Sequence, residues 1–335
     1  MKKILVTGAS GFIGSSIVEQ AVGLGYETWA GVRSSSSKAY LQDEAIQFVT
    51  FNYDDKNVLK QQLTDFAKRH GRFDYIVHCA GITKALHKSD FDQINFYQTA
   101  NLVDALVDTN TVPELFVLMS TLGVMGPGDE VNYTPIRHDQ SPQPNTAYGK
   151  SKLKTERYIQ NTPNFPYLFL RPTGVYGPRD RDYLILIKSI KNRLEVGAGY
   201  KKQLLSFIYI QDLVNILFAA IDQGITDRAY NISDGRGYTD IEFNEMVKEL
   251  LDVSKTLSMK LPLGLVKVAA KGNELLSQIV GQPTTFNSDK YHIMKQRNWT
   301  CDITPLEEEL GFEAQYPLRE GLEATIEWYK NEGWL

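Results

Sequence analysis

The chain contains little cysteine and no excess of charge of either sign. Its 335 residues include two cysteines, Cys79 and Cys301, whose wide separation suits neither a disulfide framework nor a zinc site. The 36 basic and 40 acidic residues give a net charge of −4, so nucleic acid is not expected as a partner. The five histidines show no metal-ligand spacing. We therefore expect a protein without a metal ion that works in a reducing compartment, the cytoplasm.

Long hydrophobic runs are also missing. The apolar stretch at the start ends at Thr7-Gly8, short of the run of about seven residues or more that a secretion signal needs. Residues 261–280 are interrupted by Lys267, Lys271 and Glu274, whereas a spanning helix needs about 20 apolar residues. The sequence predicts neither a secretion signal nor insertion into a membrane.

Short runs rich in β-branched residues alternate with longer helical patterns from residue 3 onward. This alternation is typical of βαβ units around a parallel sheet, whose ligands bind beyond the carboxyl ends of the strands. The predicted strands are 3–7, 27–32, 46–52, 75–79, 115–120 and 167–171. We expect an α/β fold with a doubly wound Rossmann sheet over residues 1–172, joined by segments near 207–232. Residues 173–335 are predicted to form mainly a smaller, α-rich substrate-binding domain.

A glycine-rich loop follows the first predicted strand and opens a helix. Glycine permits the tight turn and close approach that a pyrophosphate requires, and the helix amino terminus attracts its negative charge. The loop residues expected to bind a dinucleotide are Gly8, Ser10, Gly11, Phe12, Ile13 and Gly14. After the second strand, Arg33 stands where NAD-binding folds place an acidic residue on the ribose. A guanidinium suits a 2′-phosphate, which favours NADP and leaves NAD as the alternative.

Tyr148 and Lys152 are four residues apart at the start of a predicted helix and therefore share one face. A phenol has a pKa of about 10, and a nearby ammonium stabilises the phenolate and lowers that pKa. The pair therefore predicts proton transfer by Tyr148, with Lys152 also placed to bind the nicotinamide ribose.

The motifs together resemble those of the extended short-chain dehydrogenases/reductases, the NAD(P)-dependent epimerase/dehydratase family. Besides the glycine loop and the Tyr148–Lys152 pair, the resemblance rests on Val77-His78-Cys79-Ala80-Gly81, Ile94-Asn95, Ser120-Thr121, Val124-Met125-Gly126 and Leu170-Arg171-Pro172. It implies a catalytic triad of Thr121, Tyr148 and Lys152, with Ser120 against the cofactor and as the fallback hydroxyl. It also implies cofactor contacts at Ala80, Asn95 and Pro172. For Asn95, hydrogen bonding to backbone groups is an equal alternative to contact with the cofactor. His78 is expected to be packed and hydrogen-bonded.

Three departures from the family pattern concern the substrate. Leu122-Gly123 replaces the acid pair of dehydratases, Leu205 replaces an arginine that binds a sugar-nucleotide diphosphate, and Met125 replaces a tyrosine. With a C-terminal part that resembles the hydroxysteroid dehydrogenase and dihydroflavonol reductase branch, these departures predict an oxidoreductase. It would move a hydride between nicotinamide and a secondary alcohol or ketone of a small apolar substrate. The alternatives are a nucleotide-sugar epimerase that uses NAD and a non-enzymatic NADP-sensing regulator.

The resemblance also implies a homodimer. Family members pair through the helices that correspond to residues 92–109 and 146–160 of this chain. The apolar residues of these helices suit either that interface or the core of one subunit; they include Leu102, Leu106, Leu153 and Tyr158.

Overall fold

A computed structural model describes residues 1–282, 284 and 286–335. The strands are β1 (Lys3–Thr7), β2 (Glu27–Gly31), β3 (Gln47–Val49), β4 (Tyr75–His78), β5 (Leu115–Met119), β6 (Tyr167–Pro172), β7 (Gly174–Tyr176), β8 (Leu194–Ala198), β9 (Leu204–Leu205), β10 (Phe207–Tyr209), β11 (Arg228–Ile232), β12 (Tyr238–Thr239), β13 (Leu257–Leu261) and β14 (Asn298–Trp299). The helices are α1 (Phe12–Gly23), α2 (Lys56–His70), α3 (Lys88–Phe91), α4 (Gln98–Asp108), α5 (Ala147–Gln160), α6 (Asp182–Lys191), α7 (Ile210–Asp222), α8 (Asp240–Leu250), α9 (Leu263–Val280), α10 (Ser288–Lys295), α11 (Thr304–Leu310) and α12 (Leu318–Asn331). A π-helix (Asp92–Tyr97) lies between α3 and α4, and a 3₁₀ turn (Leu122–Val124) follows β5.

Seven strands form the main sheet in the order β11-β6-β5-β4-β1-β2-β3. The pairings of β1 with β2 and β4, of β2 with β3, and of β5 with β4 and β6 are all parallel. This sheet confirms the predicted α/β Rossmann fold. All six predicted strands are present, although the third spans Gln47–Val49 only.

The strand order reverses at β1, which lies between β2 and β4. Connections leave β1 and β4 toward opposite sides, so a crevice opens beyond their carboxyl ends at Thr7 and His78. The glycine loop begins directly after Thr7, and the Cys79-Ala80-Gly81 segment follows His78. The topology therefore brings two of the predicted cofactor motifs to one edge of the sheet.

The first of two compact units comprises Met1–Thr121, Lys150–Arg171 and Leu217–Ala229. Its core contains buried apolar residues from the sheet and from α2, α4 and α5. Leu102 and Leu106 of α4 are fully buried there, and Leu153 of α5 is buried too. The structure thus assigns these leucines to the core of one subunit, and Tyr158 is half-buried and donates to the Asp104 carboxylate.

The second unit comprises Leu122–Gly149, Pro172–Ile216 and Tyr230–Leu335. Rings of Tyr176, Tyr183, Phe207 and Phe243 pack in its core, with the last two stacked at 5.3 Å. Short strands form three small sheets: β10-β7, β12-β9-β14 and β13-β8. The sequence predicts a helical unit and misses most of these strands. Four of the missed strands have two or three residues, which are too few to show alternation, whereas β8 and β13 have five each.

The longest helix of this unit, α9, has 18 residues. No helix in the described parts of the chain is both long enough and apolar enough to cross a membrane.

Candidate active site

The glycine loop makes a tight turn between β1 and α1. Gly8 has φ +65°, and a Cβ there would lie 2.7 Å from the Ala80 nitrogen, so a side chain is excluded. A Cβ on Gly14 would overlap the Gly8 carbonyl oxygen, which explains the third glycine. Gly11 is the N-cap of α1 and supplies no side chain to its first N–H groups. The amino terminus of α1 therefore presents donors and a positive dipole end, which suits a pyrophosphate.

His78 lies in a chain of hydrogen bonds at the ends of β1 and β4. The Ala80 N–H donates to Thr7 Oγ1 at 3.1 Å, and Thr7 Oγ1 lies 2.9 Å from His78 Nδ1. On the other side of the ring, Nε2 lies 3.0 Å from Thr99 Oγ1, whose hydroxyl donates to the Asn95 carbonyl. Burial lowers the pKa of His78 to about 3. The expectation of a packed, hydrogen-bonded histidine is confirmed.

Asn95 holds the segment after β4 in place. Its Oδ1 accepts from the Ile82 N–H at 2.8 Å, and its Nδ2 donates to the Ile82 carbonyl at 3.0 Å and to Ser151 Oγ at 3.2 Å. Its own carbonyl accepts from the hydroxyls of Thr99 and Thr155. Of the two predicted roles, the structure shows backbone capping, and contact with the cofactor stays a prediction.

Lys152 is 4% exposed and lies on the second turn of α5. Its Nζ donates to the Met119 carbonyl, the last residue of β5, at 2.9 Å. Removal from water disfavours the ammonium and lowers the pKa of Lys152 to about 8. The amine is thus fixed at the carboxyl end of a central strand, beside the switch point.

Ser120 is engaged by a buried ion pair that sequence analysis did not identify. Arg171 forms two bonds with Glu156, Nε to Oε1 at 3.0 Å and Nη2 to Oε2 at 2.7 Å. Ser120 Oγ donates to the same Oε1 at 2.5 Å. The Ser120 proton is therefore committed to Glu156, which favours Thr121 as the triad hydroxyl. No local sequence pattern indicates this pair, because Glu156 and Arg171 are 15 residues apart.

Tyr148 occupies the first turn of α5, where Thr146 Oγ1 accepts from the Gly149 N–H at 3.0 Å. The Tyr148 N–H donates to Asp289 at 3.2 Å. Burial raises the pKa of the Tyr148 phenol to about 12. The predicted lowering is therefore wrong for this structure, because desolvation disfavours the phenolate.

The remaining predicted site residues lie at strand and loop ends. Arg33 is exposed just beyond β2, at the start of a turn in which its N–H donates to Ser36 Oγ. Pro172 is buried at the end of β6. In the second unit, Met125 is buried beside the 3₁₀ turn, and Leu205 is half-buried in β9.

Asn298 secures the loop that follows Met125 in the second unit. Its Nδ2 donates to the carbonyls of Asp129 at 3.0 Å and Thr134 at 2.8 Å. The Gly128 N–H donates to the Asn298 carbonyl at 3.2 Å. These bonds fix both sides of the loop that follows the 3₁₀ turn.

A family model described as NAD dependent epimerase/dehydratase matches residues 4–233. The chain belongs to this family. The resemblance to extended short-chain dehydrogenases/reductases is thereby confirmed, and the chain is an enzyme of that type.

Similar proteins cover nearly the whole chain at low identity. UDP-glucose 4-epimerase of Vibrio cholerae is 24% identical over 97% of this chain and 95% of its own. Ceramide reductase of Caulobacter vibrioides is 22% identical over 99% and 96%. The solved structure of dTDP-glucose 4,6-dehydratase from Bacillus anthracis in complex with NAD is 19% identical, covers 100% and 98%, and superposes with a TM-score of 0.78.

Proposed function

We propose that the chain transfers a hydride between a nicotinamide dinucleotide and the carbon of a secondary alcohol or ketone. The observation that carries this proposal is the buried Lys152 amine, held on the Met119 carbonyl one helical turn after Tyr148. A buried, cationic group costs stability, so its presence at a strand end next to the switch point favours a functional role.

The residues have separate roles in this reaction. When bound, the nicotinamide supplies or accepts the hydride. Tyr148, which like any phenol is protonated at neutral pH, gives its proton to the substrate oxygen as that oxygen gains charge. Thr121 donates a hydrogen bond to the same oxygen, and Lys152 binds the cofactor ribose and favours the phenolate left on Tyr148. The glycine loop holds the pyrophosphate at α1.

Two substrate classes are compatible with this chemistry, and the comparisons favour a nucleotide-sugar epimerase. The Vibrio cholerae relative bears that name and aligns over almost the full length of both chains. An epimerase uses the same three residues, removes a hydride from the sugar carbon and returns it to the other face. Such an enzyme retains its NAD between cycles.

An apolar ketone or alcohol is the second candidate, and residues of the second unit favour it. Leu205 offers no charge for a diphosphate, Met125 offers no hydroxyl, and Leu122-Gly123 lacks the carboxyl groups of dehydratases. The name of the Caulobacter vibrioides relative describes a lipid reductase. This class requires net turnover of the cofactor.

One experiment separates the two classes. The purified protein is analysed for bound NAD(H) and assayed with UDP-glucose in the absence of added cofactor. Retained NAD and interconversion of the sugar would support the epimerase. Stoichiometric consumption of added NADPH or NADH with an apolar ketone would support the reductase. The absence of both activities, across sugar-nucleotide, steroid and ceramide panels, would contradict hydride transfer.

The cofactor preference and the assembly are parts of the same proposal. Exposed Arg33 after β2 supports NADP, whereas the family description supports NAD. A homodimer would use a groove of about 490 Å³ on the first unit, whose lining includes Phe96, Lys154, Arg157 and Tyr158. Cytoplasmic location stays a prediction from composition.

A further inference from the structure

Helix α9 exposes a continuous apolar stripe. At about 100° per residue, its exposed apolar side chains fall within an arc of roughly 140° along the full length of the helix. Each is between 61% and 81% exposed: Leu265, Val268, Leu275, Leu276, Ile279 and Val280. Ala269 and Gly272, also exposed, fill the positions between them. Isolated exposed apolar residues are ordinary, but six on one helix face form a patch that needs an occupant.

The opposite side of α9 attaches the helix to its own unit. Val266, Ala270 and Ser277 are buried. Asn273 Nδ2 donates to the Phe286 carbonyl at 2.8 Å, and Ser288 donates to the Glu274 carboxylate. The helix is therefore already packed through one face, and the apolar stripe is a second face that packing within the unit does not use.

The charge around α9 indicates what the stripe contacts. Residues 255–297 contain seven Lys and Arg against two Asp and Glu, a net charge of +5 in a chain whose total is −4. The rest of the chain thus carries −9. Lys271 and Lys267, both exposed, lie about 40° and about 80° beyond the same edge of the stripe, and Lys255 is exposed nearby in sequence. A lysine beside an apolar surface extends its amine toward anionic groups while its methylenes stay in apolar contact.

We infer that the exposed face of α9 docks the protein on the surface of a bilayer that contains anionic phospholipid. The helix lies in the interface plane, with the stripe among the acyl chains and Lys267 and Lys271 among the headgroups. A second copy of the chain is a poorer occupant, because the lysine edges of two equivalent stripes would bring positive charge against positive charge. Such binding is interfacial and needs no spanning helix.

The test is co-sedimentation of the full chain with vesicles. We expect binding to phosphatidylcholine vesicles that contain about 30% phosphatidylserine, little binding to pure phosphatidylcholine, and weaker binding as salt is raised above about 0.15 M. Leu275→Asp with Ile279→Asp, and separately Lys267→Glu with Lys271→Glu, should each reduce binding about tenfold or more. Val131→Asp and Lys68→Glu, at exposed positions outside α9, are the matched controls and should bind as the unchanged chain does.

Three results would overturn the inference. The first is no binding to anionic vesicles by a chain whose thermal unfolding is normal, and the second is binding by both α9 variants that equals the binding of the unchanged chain. The third is that the unchanged chain forms a dimer and does not bind vesicles, whereas the variant with Leu275→Asp and Ile279→Asp is a monomer. That result would assign the stripe to a second copy. Since vesicle binding is measured without substrate, its failure leaves the proposed hydride transfer untouched.

Discussion

The Nε2 atom of His78 lies 3.0 Å from the hydroxyl oxygen of Thr99. The Thr99 hydroxyl donates its hydrogen to the Asn95 carbonyl. Its oxygen must therefore accept from His78, which places the ring proton on Nε2. Nδ1 then accepts from Thr7, whose oxygen accepts from the Ala80 N–H. Every donor in this series of hydrogen bonds has one acceptor, and a second proton on the His78 ring would break the series.

We expect this neutral histidine to make stability fall in mild acid. Its pKa of about 3 in the folded chain is below the ordinary value of 6.5, so the unfolded chain takes up the proton first. Stability is then lost as pH falls below 6.5, by about 1.4 kcal/mol per pH unit for one proton. Urea unfolding between pH 6.5 and 5 measures the slope, which should be flatter in His78→Asn. His70→Asn, at an exposed position on α2, is the control, and equal slopes in all three proteins would contradict the prediction.

Tyr148→Phe should reduce turnover by about a hundredfold or more, because it removes the proton donor and leaves the ring. Binding of NAD or NADP, followed by isothermal titration or by thermal shift, should change less than threefold, since the phenol acts on the substrate oxygen. Tyr200→Phe, on an exposed tyrosine, should keep full activity. Substantial turnover by Tyr148→Phe would remove Tyr148 from the mechanism.

Thr121→Ala and Ser120→Ala distinguish the two candidate hydroxyls. Loss of the Thr121 hydroxyl should lower kcat about tenfold to a hundredfold, since it removes a donor to the reacting oxygen. Ser120→Ala should retain most activity and instead lower the melting temperature, because Glu156 loses a buried donor. Steady-state kinetics measures kcat, and thermal unfolding measures the melting temperature. The reverse pattern would assign the catalytic role to Ser120.

Arg33→Asp tests the cofactor preference. If Arg33 binds a 2′-phosphate, the substitution should raise the KM for NADP about tenfold or more and lower that for NAD, because a carboxylate repels phosphate and accepts from the free hydroxyl. Lys38→Asp, five residues further along the same exposed segment, is the control for charge alone. An unchanged ratio of kcat/KM values for the two cofactors would mean that Arg33 makes no such contact.

The sheet and the glycine loop could be predicted because each has a local signature. Buried parallel strands appear as short β-branched runs, and Gly8 and Gly14 stand where no Cβ fits. The direction of the Tyr148 pKa could not be predicted, because it depends on burial by residues distant in sequence. The same is true of the pair formed by Glu156 and Arg171, which are 15 residues apart and meet only when α5 packs on the sheet.

The π-helix between α3 and α4 could not be predicted either, since its i→i+5 bonds leave no pattern of residue types. Such a turn is an α-helix with one residue too many. Deleting Phe96 or Tyr97, which lie between Asn95 and Thr99, would restore regular α-helical bonding, and it would also rotate everything before the deletion by about 100° relative to α4. Asn95 and Thr99 could then no longer face Ile82 and His78 together. The π-helix therefore determines in which direction the side chains of the preceding segment face relative to those of α4.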